Sequence, residues 1–192
     1  MKPLMLLNVI GEWCLMLACI DIHYYDDHAV AACILFDKWT DSNPTSQIST
    51  TITNIAPYIP GQFYLRELPC IIEVLKLVSE DPEVIIIDGH VWLDDNKSAG
   101  LGAHLYYSLN KKIPIIGIAK NPFKQSKIAN EVIRGNSKKP LYVTTAGIDQ
   151  NFAANNISKM HENYRIPTLL KKVDQLSRNI TNGHQKSNHH GV

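Results

Sequence analysis

The chain has 192 residues, of which 45% are hydrophobic and 19% are charged, and its formal net charge is +1. This length suits one domain that buries most of its apolar surface, and the composition excludes a disordered or fibrous chain. We expect a single domain over residues 1–180. Residues 181–192 have almost no apolar side chains and predict a disordered polar tail.

The start of the chain is rich in apolar residues but does not predict export or a membrane anchor. Asn8, Gly11 and Glu12 interrupt the apolar run, which falls short of the roughly 18 residues that a membrane helix requires. The cysteines lie among apolar residues without CxxC spacing, as is typical of reduced core residues. They are Cys14, Cys19, Cys33 and Cys70. We therefore expect a cytoplasmic monomer without membrane contact.

The first part of the chain has the pattern of strands followed by a helix. Apolar runs at residues 15–21 and 29–36, separated by the turn-like YYDDH, predict a β-hairpin. The alternating run at 47–55 predicts a third strand. Residues 68–79 have apolar side chains at helical spacing and predict an amphipathic helix, with Pro69 in its first turn.

The second part alternates between strands and helices. Buried strands are predicted at 84–88 and 113–120, with a helix at 101–109 between them, so these two strands should be parallel. Residues 141–145 predict a last strand, and the apolar periodicity of residues 169–176 predicts a closing helix. The pattern as a whole favours an α/β fold around one mixed sheet.

Two aspartates end predicted strands. Asp21 and Asp88 each follow an apolar run, and the carboxyl ends of strands are where open α/β sheets place ligands. Glu67 stands at the start of the first predicted helix. Taken singly, each acid has an ordinary alternative role, a loop or cap aspartate or a favourable charge near a helix N-terminus. Taken together, they favour a hard cation, Mg²⁺ or Mn²⁺, over zinc, and phosphoryl chemistry with a metal-activated water.

Basic residues are concentrated between residues 97 and 139. This segment has nine Lys or Arg and one acid, Glu131, so its formal charge is +8. Such a segment is compatible with a face that neutralises phosphates. Lysines on solvated helix faces would give the same pattern, and the sequence leaves both interpretations open.

Several sequence blocks resemble motifs of the endonuclease V family. The most specific is PYIPG at 57–61, followed by Arg66 and Glu67, which is similar to the family motif PYIPGxxxxRE. The other blocks stand in the family's order along the chain. They are ACIDIHY at 18–24, IIIDGH at 85–90, IGIAK at 116–120 and YRIP at 164–167.

The resemblance implies an RNase H-like fold, with a central mixed five-stranded sheet flanked by helices. It also implies an endonuclease that cuts the phosphodiester 3′ to deoxyinosine or inosine in DNA or RNA. Asp21, Glu67 and Asp88 match the family's metal-binding acids, and Lys120 matches its active-site lysine.

The resemblance further assigns substrate contacts. Residues 57–60 match a wedge that separates strands near the lesion, and a stiff loop with an aromatic face suits the flipping of a base. Glycines near the acids would let the backbone close around the extruded base, although turns or tight packing explain glycine equally well. The residues concerned are Pro57, Tyr58, Ile59, Pro60, Gly61, Gly89 and Gly117.

The sequence departs from the family pattern at two histidine positions that the family associates with catalysis or metal. Asp94 and Asp95 stand near the first, and Ile148 stands at the second. An active nuclease is therefore one hypothesis. A diverged protein that binds modified nucleic acid with little or no cleavage is another, and a third is an RNase H-like nuclease with a different substrate preference.

Overall fold

The computed structural model describes residues 16–124 and 126–179, so Cys14 and the predicted tail lie outside the described residues. Within these ranges, seven strands form one sheet and four helices pack on it. No helix of the described part is long and apolar enough to cross a membrane. The elements are β1 (Leu17–Tyr24), β2 (Ala29–Phe36), β3 (Ser46–Ile52), α1 (Tyr64–Leu75), β4 (Val84–Asp88), α2 (Leu101–Ser108), β5 (Ile115–Ala119), β6 (Asn130–Val132), β7 (Leu141–Ala146), α3 (Gln150–Lys159) and α4 (Thr168–Asn179).

The sheet is mixed, with the strand order β3-β2-β1-β4-β5-β7-β6. The central strands β1, β4 and β5 run parallel, because helices supply the crossovers that parallel neighbours require. The remaining neighbours are antiparallel. The predicted mixed α/β fold and the parallel pair are confirmed. The resemblance implied five strands, whereas the described residues form seven.

Alternation along the strands divides the core into two layers. Successive strand residues point to opposite faces of the sheet. Ile85 and Ile87 therefore pack on the side of α1 and α2, together with Ile71. Ile86 packs on the side of α3 and α4, together with Val173. Because helices cover both faces of the central strands, these strands begin as apolar runs on both faces, and their charged residues Asp21 and Asp88 come after these runs.

Two of the differences from the predicted boundaries affect the positions of the acids. Helix α1 begins at Tyr64 instead of residue 68, so Pro69 lies inside the helix and Glu67 lies in its first turn. The apolar periodicity missed this turn because Glu67 is its buried residue. Strand β1 continues past Asp21, since β2 pairs with it as far as Tyr24. Asp21 nevertheless lies just beyond the part of β1 that pairs with β4.

Candidate active site at the carboxyl edge of the sheet

The predicted acids lie together where the central parallel strands end. Asp88 is the last residue of β4, and Asp21 follows the last β1 residue that pairs with β4. Glu67 comes from the first turn of α1. A cavity at this edge, which we call the acidic cavity, is lined by all three acids and by Lys120. Its wall also includes Phe63, Gly89 and Leu101.

Glu67 is the most buried of the three acids, with 9% of its surface exposed. Its Oε2 atom is buried and finds no hydrogen-bond partner among the described residues. Burial, together with the negative charges of Asp21 and Asp88, raises the pKa of Glu67 to about 8, although Arg66 acts in the opposite direction. A buried oxygen without a partner among the described residues, in a cavity lined by two further carboxylates, is a favourable position for a cation.

Asp21 is held by a contact from α4. The pKa of Asp21 is raised to about 6, mainly by burial and also by the charges of Asp174 and Asp88. The hydrogen bond from Ser177 acts in the opposite direction. The Ser177 hydroxyl is fully buried and lies 2.7 Å from Asp21 Oδ2. The same hydroxyl lies 2.8 Å from the Asp174 carbonyl oxygen. Helix α4 therefore positions the Asp21 carboxylate.

Lys120 supplies a cation at the same edge. Its Nζ donates a hydrogen bond to Asp88 Oδ2 at 2.7 Å, and both side chains are about half exposed. Burial lowers the pKa of Lys120, but the hydrogen bond and the charges of Asp88, Asp174 and Asp21 outweigh burial and raise it above its ordinary value. Lys120 is therefore a fixed positive charge beside the acids.

Asp174 is a further carboxylate of the site that the sequence analysis missed. It lines the acidic cavity from α4, and its charge contributes to the raised pKa of Asp21. Arg178 donates a hydrogen bond to it at 3.0 Å. The sequence gives little indication of this role. The only pattern that links Asp174 to Ser177 is their spacing of three residues, which places both on one face of a helix. Their approach to Asp21 depends on the tertiary fold.

The donor set at this edge suits a hard cation, since it consists of carboxylates. However, no three His, Cys, Asp or Glu side chains within residues 16–124 and 126–179 are close enough together to hold one ion. Mg²⁺ usually keeps several waters and takes one or two protein carboxylates. The arrangement is compatible with such a hydrated ion, and the assignment of all three acids as its ligands stays a prediction.

The loop at residues 57–61 joins β3 to α1 and is exposed. Tyr58 has 59% of its surface exposed, which excludes a core role for its side chain. Its ring lies 6.3 Å from that of Phe63 in an edge-on arrangement, and the Phe63 ring lies 6.4 Å from that of Tyr24. The Arg66 guanidinium stacks 3.9 Å above the Tyr24 ring. This row of aromatic side chains leads from the loop tip to the acidic cavity.

The glycines near the acids have different roles. Gly89 adopts a positive φ of 141°, which an L side chain rarely tolerates, and it lines the acidic cavity. Gly117 is buried behind it, where an added Cβ would lie 2.5 Å from the Gly89 carbonyl oxygen. The contacts of Gly117 thus favour the packing explanation. Gly61 has a φ of 78° in the exposed loop, where it serves a turn.

The residues near the expected histidines have structural contacts instead. The Asp94 carboxylate accepts hydrogen bonds from the Asn96 and Ser98 backbone amides at 3.0 Å and from the Ser98 hydroxyl at 2.7 Å. These bonds close a loop outside the acidic cavity. Ile148 packs against the core layer beneath α3 and α4. Neither Asp94 nor Ile148 lines the acidic cavity.

The basic residues of the segment 97–139 have different environments. Arg134 is buried and donates hydrogen bonds to the carbonyl oxygens of Met160, Glu162 and Tyr164, so it fixes the α3–α4 connection. Lys120 faces the acids. The other lysines of the segment are exposed and remain available for phosphate contacts.

Comparisons with known sequences agree on one family. A family model described as Endonuclease V matches residues 6–175. Endonuclease V of Streptomyces avermitilis is 27% identical over 182 residues, which cover 83% of this chain and 77% of the relative. Endonuclease V of Xanthomonas axonopodis pv. citri is 34% identical over 107 residues, which cover 55% of this chain and 44% of the relative.

Solved structures show the same fold. The catalytic domain of human endonuclease V matches with a TM-score of 0.71 at 20% identity, over 86% of this chain and 81% of that one. Endonuclease V of Bacillus subtilis matches with a TM-score of 0.72 at 22% identity, over 90% and 83% respectively. These likenesses confirm the RNase H-like architecture that the sequence blocks implied.

Proposed function

The chain belongs to the endonuclease V family, and we propose that it hydrolyses the phosphodiester 3′ to deoxyinosine or inosine in nucleic acid with Mg²⁺, or Mn²⁺, as its cofactor. The observation that carries this proposal is the acidic cavity. It brings Asp21, Glu67, Asp88 and Lys120 to one edge of the sheet, next to the exposed loop at 57–61. An endonuclease of this type acts on nucleic acid, and these residues are suited to phosphodiester chemistry.

The acids would hold the metal ion. We propose Asp21, Glu67 and Asp88 as the acids around a hydrated ion, one or two of them binding it directly and the rest through its waters. The Glu67 Oε2 atom supports this proposal, since it is buried and finds no hydrogen-bond partner in the described part of the chain. When bound, the ion supplies charge neutralisation at the phosphate and lowers the pKa of an attacking water. Ser177 orients Asp21 through its hydroxyl. Lys120 orients Asp88 and places a positive charge beside the scissile phosphate.

The exposed loop would recognise the lesion. Tyr58 presents an accessible ring that can stack on bases exposed when the hypoxanthine nucleotide flips out. The flipped base would enter the part of the acidic cavity lined by Phe63, Gly89 and Leu101. Backbone groups around Gly89 would contact its Watson–Crick edge. Pro57, Ile59, Pro60 and Gly61 belong to the same exposed loop and would form the wedge together with Tyr58. Gly117 packs against the Gly89 backbone from behind.

A second candidate function is recognition of modified nucleic acid with little or no cleavage. The observation that favours it is the structural role of Asp94 and Ile148, which leaves the family's usual histidines without a replacement at these positions. Asp174, by contrast, adds a carboxylate to the site and favours the active enzyme.

A cleavage assay separates these functions. End-labelled strands of one sequence that contain deoxyinosine, inosine or neither are incubated with Mg²⁺ or with EDTA, and product lengths locate the cut. The proposal expects metal-dependent cleavage 3′ to the modified residue. Tight binding of the modified strand without product would favour the second function. Equal cleavage of the unmodified strand would contradict the proposed specificity.

A further inference from the structure

A second cavity of about 520 Å³ adjoins the acidic cavity on the side of α4. We call it the α4 cavity. It shares Asp21, Asp88 and Lys120 with the acidic cavity, so the two meet at the candidate catalytic groups. Its volume falls in the range of about 300–1,000 Å³ that is typical of small-molecule sites. Its walls are mainly apolar and include Ile118, Leu141, Ile166, Leu170 and Val173.

The wall formed by the α3–α4 connection is held in place by two arginines. Arg165 donates hydrogen bonds to the carbonyl oxygens of Lys120 and of Pro140, the latter at 2.8 Å. Arg134 binds the same connection through three carbonyls, as described above. The connection is thus tied to the ends of β5 and β7, and the cavity it encloses is built into the fold.

The rim of the α4 cavity has the groups that a nucleotide requires. Tyr164 stands at the rim with 70% of its surface exposed, so its ring is available for stacking. Lys171 is exposed at the same rim and can contact a phosphate. Arg178 also lines the rim, although it is engaged with Asp174. An apolar floor with aromatic and cationic groups at its opening suits a planar base attached to a charged backbone.

The positions of the two cavities indicate what the α4 cavity binds. A scissile phosphodiester joins two nucleosides, and here the candidate catalytic groups lie between two cavities. Under the proposed function, on which this inference rests, the modified base enters the acidic cavity. We propose that the α4 cavity binds a neighbouring nucleoside of the same strand, on the other side of the scissile phosphate. Its base would lie against Ile166 and Leu170 and stack on Tyr164.

This assignment predicts recognition without sequence preference. Apolar side chains form most of the α4 cavity, and stacking on an aromatic ring accepts any base. Replacing the neighbouring base by another base should therefore change affinity little. Removing it, by placing an abasic residue at that single position, should weaken binding by about ten-fold, which is within the range of base–aromatic stacking.

The test scans one abasic residue through each position on both sides of a deoxyinosine. Affinity is measured by fluorescence anisotropy in EDTA, which prevents metal-dependent cleavage, with wild type and two variants. Leu170→Trp fills the α4 cavity, and Tyr164→Ala removes its exposed ring. Phe152→Ala is the matched control, because it removes an exposed aromatic residue of α3 that lines neither cavity.

The expected result is one sensitive position beside the scissile bond in wild type and in Phe152→Ala. Leu170→Trp and Tyr164→Ala should bind the intact strand more weakly and lose most of the penalty for the abasic residue. If Leu170→Trp fails to fold, the Tyr164→Ala variant still tests the inference, because Tyr164 is exposed and its loss should leave the fold intact. Equal abasic penalties in wild type and Tyr164→Ala, or no sensitive position, would overturn the inference. The preference of the wild-type protein for deoxyinosine strands over unmodified strands separates this failure from failure of the proposed function. If that preference is present, only the inference about the α4 cavity is wrong; if it is absent, the proposed function itself is overturned.

Discussion

Replacing Glu67 by Gln should stabilise the metal-free protein at neutral and alkaline pH. The Glu67 carboxyl is buried, its Oε2 atom finds no hydrogen-bond partner in the residues described, and the charges of Asp21 and Asp88 act on it. Ionising this group in the folded state is therefore costly. Gln has the same shape without the charge, so the variant avoids this cost.

The direction and the magnitude of this change in stability follow from the pKa of Glu67. Folding raises the pKa of Glu67 from 4.5 to about 8, so between these values the folded state holds a proton that the unfolded state has lost. The contribution of this group to stability therefore falls as the pH rises from 4.5 to about 8, and it is constant outside this window. At about 1.36 kcal/mol for each pH unit, the full fall is as much as roughly 5 kcal/mol.

Urea unfolding in EDTA at several pH values between 5 and 8 measures this effect as the difference between wild type and Glu67→Gln. The variant should gain stability relative to wild type as the pH rises, and Mg²⁺ should reduce the gain by stabilising the ionised wild-type site. Glu73→Gln is the matched control, because Glu73 lies on the same helix in an exposed pair with Lys76. Parallel pH curves for wild type and Glu67→Gln would refute the reasoning.

Three further substitutions test separate parts of the site. Tyr58→Ala should weaken binding to deoxyinosine strands by about ten-fold and leave the melting temperature unchanged, because Tyr58 is exposed and contributes stacking; equal weakening on unmodified strands would contradict its role in selecting the base. Ser177→Ala should weaken Mn²⁺ binding, measured by electron paramagnetic resonance, and Ser177→Thr should restore it, since the hydroxyl orients Asp21. Arg134→Met should lower the free energy of unfolding by about 3 kcal/mol because buried carbonyls lose their donor, whereas the exposed Lys138→Met should change it little.

The strands that the sequence predicted best are those buried on both faces. β2 and β5 are continuous apolar runs and β4 is apolar up to Asp88, because helices cover both sides of these strands. Strand β6 was missed because three residues are too few to show a period. Helix α3 was missed because Ala153 and Ile157 are its buried residues and give little periodicity. Its one local signal is Asp149, whose side chain caps the helix by accepting a hydrogen bond from the Phe152 amide.

The candidate site could be predicted where a local pattern marks it. Asp88 ends an apolar run, and Glu67 belongs to a motif with fixed spacing. Asp174 and Ser177 could not be found in this way, because nothing in the local sequence distinguishes them from the other polar residues of this helix. They reach Asp21 through the packing of α4 against β1, which the local sequence does not encode.

The most direct test of the central claim is the single-turnover rate of cleavage of a deoxyinosine strand by Asp88→Asn in Mg²⁺. Asp81→Asn is the matched control, since Asp81 is an exposed carboxylate at the opposite end of β4. If the edge carboxylates hold the metal, Asp88→Asn should lose cleavage by at least about a hundred-fold while it keeps the wild-type melting temperature, and Asp81→Asn should cut at the wild-type rate. A wild-type rate in Asp88→Asn would contradict the claim.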